Sequence, residues 1–345
     1  MTKDQPASVL VYVGLDRVGD GLLKLPFVRG LREAFPETRI TWLAGKETSV
    51  YASVLAPLTG GLLDEVIENA GIGLHPSELL RRPLDGRRFD LVIDTQRIFW
   101  ASLSLWRIPH KTFISPAARF LLSSRKPPAG YTFPKSMQRQ MLDLLELASG
   151  RDFATPAFLE LPVDPGHVTE AACLLPDGPV YIGFAPGSGG LPKCWPLENF
   201  IALARQQVEK GRTPVFFLGP QEEDWRVDIQ AAVPDALFPL QTDSAGERHG
   251  FAPQFTIALG ARTALNVSND SGVGHMLAIG TKPLVSLFGP TVPEKFMPMG
   301  DKLTIIRAAD FGGREMALIP LEVVREAVEA GLQGAAGTAA VSTTG

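Results

Sequence analysis

Apolar residues in this chain fall into short unbroken runs, separated by stretches in which they recur every three or four positions. The runs at 8–14, 39–44, 64–68, 89–95 and 110–115, and again at 180–185, 213–219, 264–268 and 283–288, are rich in Val, Ile and aromatic residues. That pattern predicts strands, mostly buried on both faces. Between them, helices are predicted over 21–35 (Leu22, Leu25, Val28, Leu31, Phe35), 98–105, 135–149, 196–210, 221–232, around 255–259, and over 272–279 and 320–332. Pro26 lies inside the first and is expected to kink it or move its start. Strands alternating with helices imply α/β architecture with doubly wound, parallel sheets. A proline-rich stretch, 150–178, with one short helix near 166–175, interrupts the alternation before it resumes. Two Rossmann-like domains are therefore expected, 1–160 and 179–332, joined by a linker over 161–178 and facing a central cleft. The helix over 320–332 is free to pack back on the first domain. The small, polar tail 333–345 is expected to be disordered.

Composition narrows this picture. A chain of 345 residues has room for two cores. Cys173 and Cys194 are its only cysteines and sit in no metal-ligand spacing, and no HExxH pattern occurs. Neither a signal-peptide layout nor a run of transmembrane length is present, so a cytoplasmic protein is expected. The formal net charge of −4 argues against a general nucleic-acid binder, but the charge is unevenly spread. From Thr95 to Leu142 there is no Asp or Glu, while Arg97, Arg107, Lys111, Arg119, Arg125, Lys126, Lys135 and Arg139 all fall there. The segment suits an anionic partner, or else it is a face balanced by acids elsewhere in the fold.

Candidate chemistry lies in the turns that follow strands. Residues 269–291 read as turn, short helix and second strand. Asp270 and Ser271 stand at the helix start, where free amides and the helix dipole suit a phosphate, and Gly272 and Gly274 would let it approach. The bland alternative is that Asp270 only caps the helix and His275 packs beneath it. In 185–195, Gly187, Ser188, Gly189 and Gly190 are suited to cradle an anion and Lys193 to neutralise a diphosphate. This turn matches neither GxGxxG nor the GxxxxGK[ST] loop. In 16–20, Asp20 is either a general base toward a hydroxyl or a helix cap. In 219–224, Glu222 is either a ribose or base contact or an ordinary acidic helix start.

Four of these stretches together resemble the heptosyltransferases of glycosyltransferase family 9, which build the inner core of lipopolysaccharide. They are DRVGDGLLKLPFVRGLREAFP (16–36), FDLVIDTQ (89–96), APGSGGLPKCWPLENF (185–200) and NDSGVGHMLAIGTKPLVSLFGPT (269–291). The resemblance covers nearly the whole chain. It implies a GT-B fold and inverting, metal-independent transfer, with no cofactor, from a nucleotide-diphosphate sugar, most simply ADP-heptose. The expected acceptor is a phosphorylated glycolipid of the lipid A–Kdo type at the inner face of the inner membrane. It implies Asp20 as the base, and Ser188, Lys193, Glu222, Asp270, Ser271, Gly272 and His275 at the donor. Some relatives have a Ser-Ser pair where this chain has Asp16-Arg17, and a Gly where it has Arg97; both positions are expected on the acceptor side. Arg17, Arg97, Arg119, Arg125 and Lys126 are accordingly expected to meet the acceptor. Alternatives on the same architecture are a sugar-nucleotide 2-epimerase and a non-catalytic sugar- or phosphate-binding module.

Overall fold

The computed structural model describes residues 5–73, 75–80, 83–242 and 252–342, with 335–342 as helical backbone. The chain divides into two compact units, Met1–Pro156 and Ala157–Gly345. No helix among the described residues is long and apolar enough to cross a membrane.

The first unit is built on β1 (Ser8–Val13), β2 (Arg39–Ala44), β3 (Glu65–Ile67), β4 (Phe89–Asp94) and β5 (His110–Ile114). All pair in parallel, in the order β3-β2-β1-β4-β5. Leu10 and Tyr12 point to one face, where they join Leu43, Val92, Phe113 and Leu105 of helix α2 (Phe99–Trp106). The alternate residues Val9, Val11 and Val13 are equally buried and turn to the other face. There α1 (Val18–Ala34) packs along α3 (Met137–Ser149). Ser136 caps α3 at its start, and Gly150, with φ +72°, ends it in the left-handed conformation. Helix α1 runs unbroken through Pro26 and begins at Val18, three residues before its apolar spacing starts. The extra residues contribute nothing to the core, so periodicity was blind to them.

The second unit repeats the plan. Helix α4 (Pro165–Leu174), capped by Asp164, leads into β6 (Tyr181–Ala185), α5 (Leu197–Glu209), β7 (Thr213–Phe216) and α6 (Trp225–Ala232). Then come α7 (Pro253–Gly260), β8 (Leu265–Asn269), α8 (Gly272–Ile279), β9 (Leu284–Phe288), β10 (Leu303–Arg307) and α9 (Leu321–Ser342). The sheet is parallel, in the order β10-β9-β8-β6-β7. Ile182 and Phe184 face one cluster with Phe200, Leu203, Val324 and Val328, while Tyr181 and Ala185 face another with Phe217, Phe255 and Leu277.

Two expectations need correction here. Strand β10 was not predicted: it is an edge strand, only partly buried, so its apolar run is short. The last helix packs on the second unit's own sheet and continues past Gln333 to Ser342, where a disordered tail was expected. Alanine favours helix more than any other residue, so an alanine-rich extension propagates a helix already nucleated by its packed half. Residues 343–345 of that expected tail lie outside the described residues.

Candidate active site

In a doubly wound sheet, ligands bind beyond the carboxyl ends of the strands at the point where strand order reverses. In the second unit that point lies between β6 and β8. The turn after β6 carries Ser188 and Lys193, and the turn after β8 carries Asp270 and Ser271. The structure brings these together. Ser188 Oγ donates to the Asp270 carbonyl at 3.1 Å, and Lys193 Nζ lies 3.3 Å from Asp270 Oδ2. Asp270 is buried while Lys193 stays partly exposed, so the ammonium is held at the mouth of the turn by a carboxylate that cannot follow it into solvent. Ser271 caps α8, its Oγ accepting from the Gly274 amide at 3.1 Å.

Asn269, which sequence reasoning passed over in favour of its neighbour, welds the two turns. Its Nδ2 donates to the Pro186 carbonyl at 2.6 Å, and its Oδ1 accepts from the Trp195 amide at 3.1 Å. Trp195 Nε1 in turn donates to the Ile319 carbonyl at 2.9 Å. Asn269 ends a fully buried strand, and a polar side chain there must be satisfied by the neighbouring chain. That was the available signal.

Glu222 is buried; a Cβ on Gly187 would collide with its carboxylate, and one on Gly219 would come within 2.7 Å. Burial raises its pKa above the ordinary carboxylate range, while the backbone amides of Ser188 and Gly219 act in the opposite sense. Glu222 thus braces the turns after β6 and β7, and the absence of a Cβ on Gly187 leaves room for its carboxylate. Gly274 likewise lets α8 sit on β8, where a Cβ would meet Ser268 Oγ at 2.6 Å. His275, one turn into α8, is buried. Gly272 is the first residue of α8, directly after the cap.

In the first unit the reversal lies between β1 and β4. Asp20 sits in the first turn of α1, and the cap position is Arg17, which makes no side-chain cap bond. The helix-cap alternative for Asp20 therefore fails. Among the described residues no hydrogen bond or ion pair engages its carboxylate, which is partly exposed where the helix dipole favours a negative charge. Asp16, four residues earlier, does the opposite and does not face the acceptor side as expected. Its side chain is fully buried, accepting from Lys24 Nζ at 2.9 Å, Trp42 Nε1 at 2.9 Å and Ser49 Oγ at 2.6 Å. Lys24 also donates to the Leu15 carbonyl at 3.0 Å, and Tyr51 Oη donates to the Gly21 carbonyl at 2.6 Å. This inward network fixes the backbone that carries Asp20. Its signal in the sequence was a single lysine inside the apolar run LLKLPF.

The acid-free segment 95–142 divides in two. Arg139 binds Asp143 and Glu146, Lys111 binds Asp90, and Arg125 donates to the Leu147 and Ala148 carbonyls at the end of α3. Arg125, expected at the acceptor, has a structural role here, because the unpaired carbonyls of a helix end attract a cation. Arg97, Arg119, Lys126 and Lys135 have no ion pair among the described residues. Arg97 lies 4.2 Å from the ring centroid of Phe133, which stacks at 5.6 Å on Phe120. Among the described residues no three His, Cys, Asp or Glu side chains group in a way that would hold a metal ion.

Two parallel five-stranded sheets with helices on both faces, each with its polar turns at a strand reversal, define an α/β protein of the GT-B class. The model of glycosyltransferase family 9 (heptosyltransferase) matches residues 78–315, and the chain belongs to that family; it is a glycosyltransferase. It is 26% identical over 317 residues to lipopolysaccharide heptosyltransferase 2 of Escherichia coli, covering 86% of this chain and 87% of that protein. To lipooligosaccharide heptosyltransferase 2 of Haemophilus influenzae it is 34% identical over 135 residues, 39% of this chain and 38% of that one. The solved structure of E. coli ADP-heptose lps heptosyltransferase II superposes with a TM-score of 0.65 at 24% identity, covering 95% of this chain and 99% of that one.

Proposed function

We propose that this glycosyltransferase moves a heptose from ADP-heptose to a phosphorylated inner-core acceptor of the lipid A–Kdo type, with inversion, at the inner face of the inner membrane. The observation that carries the reading is Asp20, a carboxylate unengaged among the described residues, at the start of α1 beside the strand reversal of the first sheet. In the reaction its oxygen takes the proton of the acceptor hydroxyl as that hydroxyl attacks the anomeric carbon. The bond from that carbon to the diphosphate breaks, and ADP leaves from the opposite face. The negative charge that develops on the diphosphate falls to Lys193, Ser188 and the amides at Ser271 and Gly272. Lys193 is already gathered there by Asp270, so little reorganisation is needed when the anion arrives. These groups supply the charge stabilisation without a divalent ion. Arg17, Arg97, Arg119 and Lys126 are left for the acceptor's phosphates, and Glu222 and His275 shape the donor pocket from within.

The direct test is Asp20→Asn assayed with ADP-heptose and a lipid A–Kdo acceptor in the presence of a chelator. Loss of a positioned base should lower kcat by about 10²–10⁴-fold. ADP affinity, measured by calorimetry, should stay unchanged. Wild-type turnover in the variant would remove Asp20 as the base, and a wild-type enzyme silent under chelator would remove the metal-independent step.

A further inference from the structure

The start of α2 exposes apolar side chains that the transfer chemistry does not use. Ala101, Ser102 and Leu105 of this helix are buried against the sheet, yet Ile98, Phe99 and Trp100 at its first turn are 40%, 39% and 51% exposed. Phe99 and Trp100 hold each other edge-on at 5.8 Å. They follow directly on Arg97, whose guanidinium stacks on Phe133, and Phe133 stacks on Phe120. From there the surface continues into a groove of about 470 Å³ lined by Arg119, Phe120, Lys126 and Tyr131. Beside it, Leu121 is 62% exposed. Ala118, Arg119 and Phe120 are three successive non-glycine residues at positive φ, a conformation that costs free energy and holds Arg119 outward.

We propose that this surface, Ile98–Trp100 and Leu121 edged by Arg97, Arg119 and Lys126, docks the protein on an anionic lipid bilayer, the aromatic side chains entering the interface. Three properties together select a lipid surface over a soluble anion. The exposed apolar groups include a tryptophan and a phenylalanine, which settle where one side is apolar and the other wet. Their flanking cations have no ion pair among the described residues, and the segment they belong to contains no acid. And the apolar and basic groups lie side by side, as an anionic interface demands, where a free phosphate would need only the cations. The proposal rests on the functional reading in placing the acceptor at a membrane, where Arg97, Arg119 and Lys126 would meet lipid and acceptor phosphates on one surface; its test involves neither sugar donor nor acceptor.

The experiment is co-sedimentation of the full chain with vesicles of phosphatidylcholine alone or mixed with phosphatidylglycerol. Wild type should bind the anionic vesicles and not the neutral ones, with affinity falling as salt rises. Phe99→Ser/Trp100→Ser should weaken binding about 10–150-fold, as expected for burying roughly half of each of two large apolar side chains. Each of Arg97→Ser, Arg119→Ser and Lys126→Ser should weaken it about fivefold, the factor for one basic residue near an anionic surface. Lys302→Ser, in the second unit, should change nothing. Circular dichroism and ADP affinity identify any variant that fails to fold. Equal binding of wild type to both vesicle types would overturn the proposal. So would aromatic variants that bind as wild type, which would mean the cations meet a soluble anion instead. Asp20→Asn should bind vesicles normally, so loss of transfer and loss of docking are read separately.

Discussion

Replacing Lys24 with methionine removes one half of an ion pair whose two side chains are 5% and 0% exposed. The ammonium's bonds to Asp16 Oδ1 at 2.9 Å and the Leu15 carbonyl at 3.0 Å both go. Removing one partner of a buried pair costs about 3–5 kcal/mol, because the other charge is left without compensation. Asp16 keeps two donors, Trp42 Nε1 and Ser49 Oγ, which puts the expected loss at the lower end, about 3 kcal/mol. For a unit of this size each kcal/mol is worth ~2–4 °C, so the transition of the first unit should fall by roughly 6–12 °C. Scanning calorimetry of the full chain reads this, with two transitions expected from two units. The control is a cycle with Asp16→Leu and the double variant. An apolar pair of similar volume should recover most of the loss, giving a coupling of about 2 kcal/mol. A fall of less than ~2 °C, or a double variant no better than the sum of the singles, would refute the inward network as what holds the α1 start. In the surviving fraction kcat should drop while ADP affinity does not, since the proposed base Asp20 rides on this backbone and the proposed donor residues belong to the second unit.

Lys193→Met should weaken ADP binding by about 10–150-fold, the worth of one charge-assisted hydrogen bond, and an unchanged calorimetric Kd would remove Lys193 from the donor site. Asn269→Ala strips partners from the Pro186 carbonyl and the Trp195 amide; it should cost the second unit roughly 2–4 kcal/mol and loosen ADP binding. A wild-type calorimetric midpoint would show that the two turns hold without it. Asp94 is pushed up to about 6 by burial, despite donors from Ser102, Ser115 and the Gln96 amide. The native state therefore keeps a proton that the unfolded chain, with an ordinary carboxyl near 4, releases, and stability is lost as pH rises from about 4 to about 6. Asp94→Asn should gain about 3 kcal/mol relative to wild type across that window, measured by urea midpoints at its two ends, and a difference that does not change with pH would contradict it.

The strands were legible because parallel strands covered by helices on both faces need unbroken apolar runs, and little else produces such runs at this spacing. β10 escaped because only Ile306 of its five residues is buried, while Thr304 and Arg307 are exposed and break up its apolar run. Helix α1 was legible only from its core-facing residues, so its first turn, the one that carries the proposed base, was placed three residues late.

Residue types of the candidate site could be read from the chain, and so could the turns that carry them, because strand ends and glycine-rich turns are local patterns. What each side chain meets could not. Asp16 and Asp20 are four residues apart and alike in chemistry; one is drawn inward by Lys24, Trp42 and Ser49, and the other has no hydrogen bond or ion pair among the described residues. Gly187 is explained by Glu222, and Asn269 by Pro186 and Trp195, partners 35 to 83 positions distant along the chain. Of eight basic residues in one acid-free segment, some are spent on helix ends and carboxylates brought from elsewhere, and others stay open to solvent. Sequence by itself determined the alternation of elements, the two-unit plan and the inventory of reactive groups, because these follow from local burial and spacing. Which of those groups point outward and which are consumed in holding the fold was decided by tertiary structure alone, because a turn residue has no periodicity and its partners come from other strands.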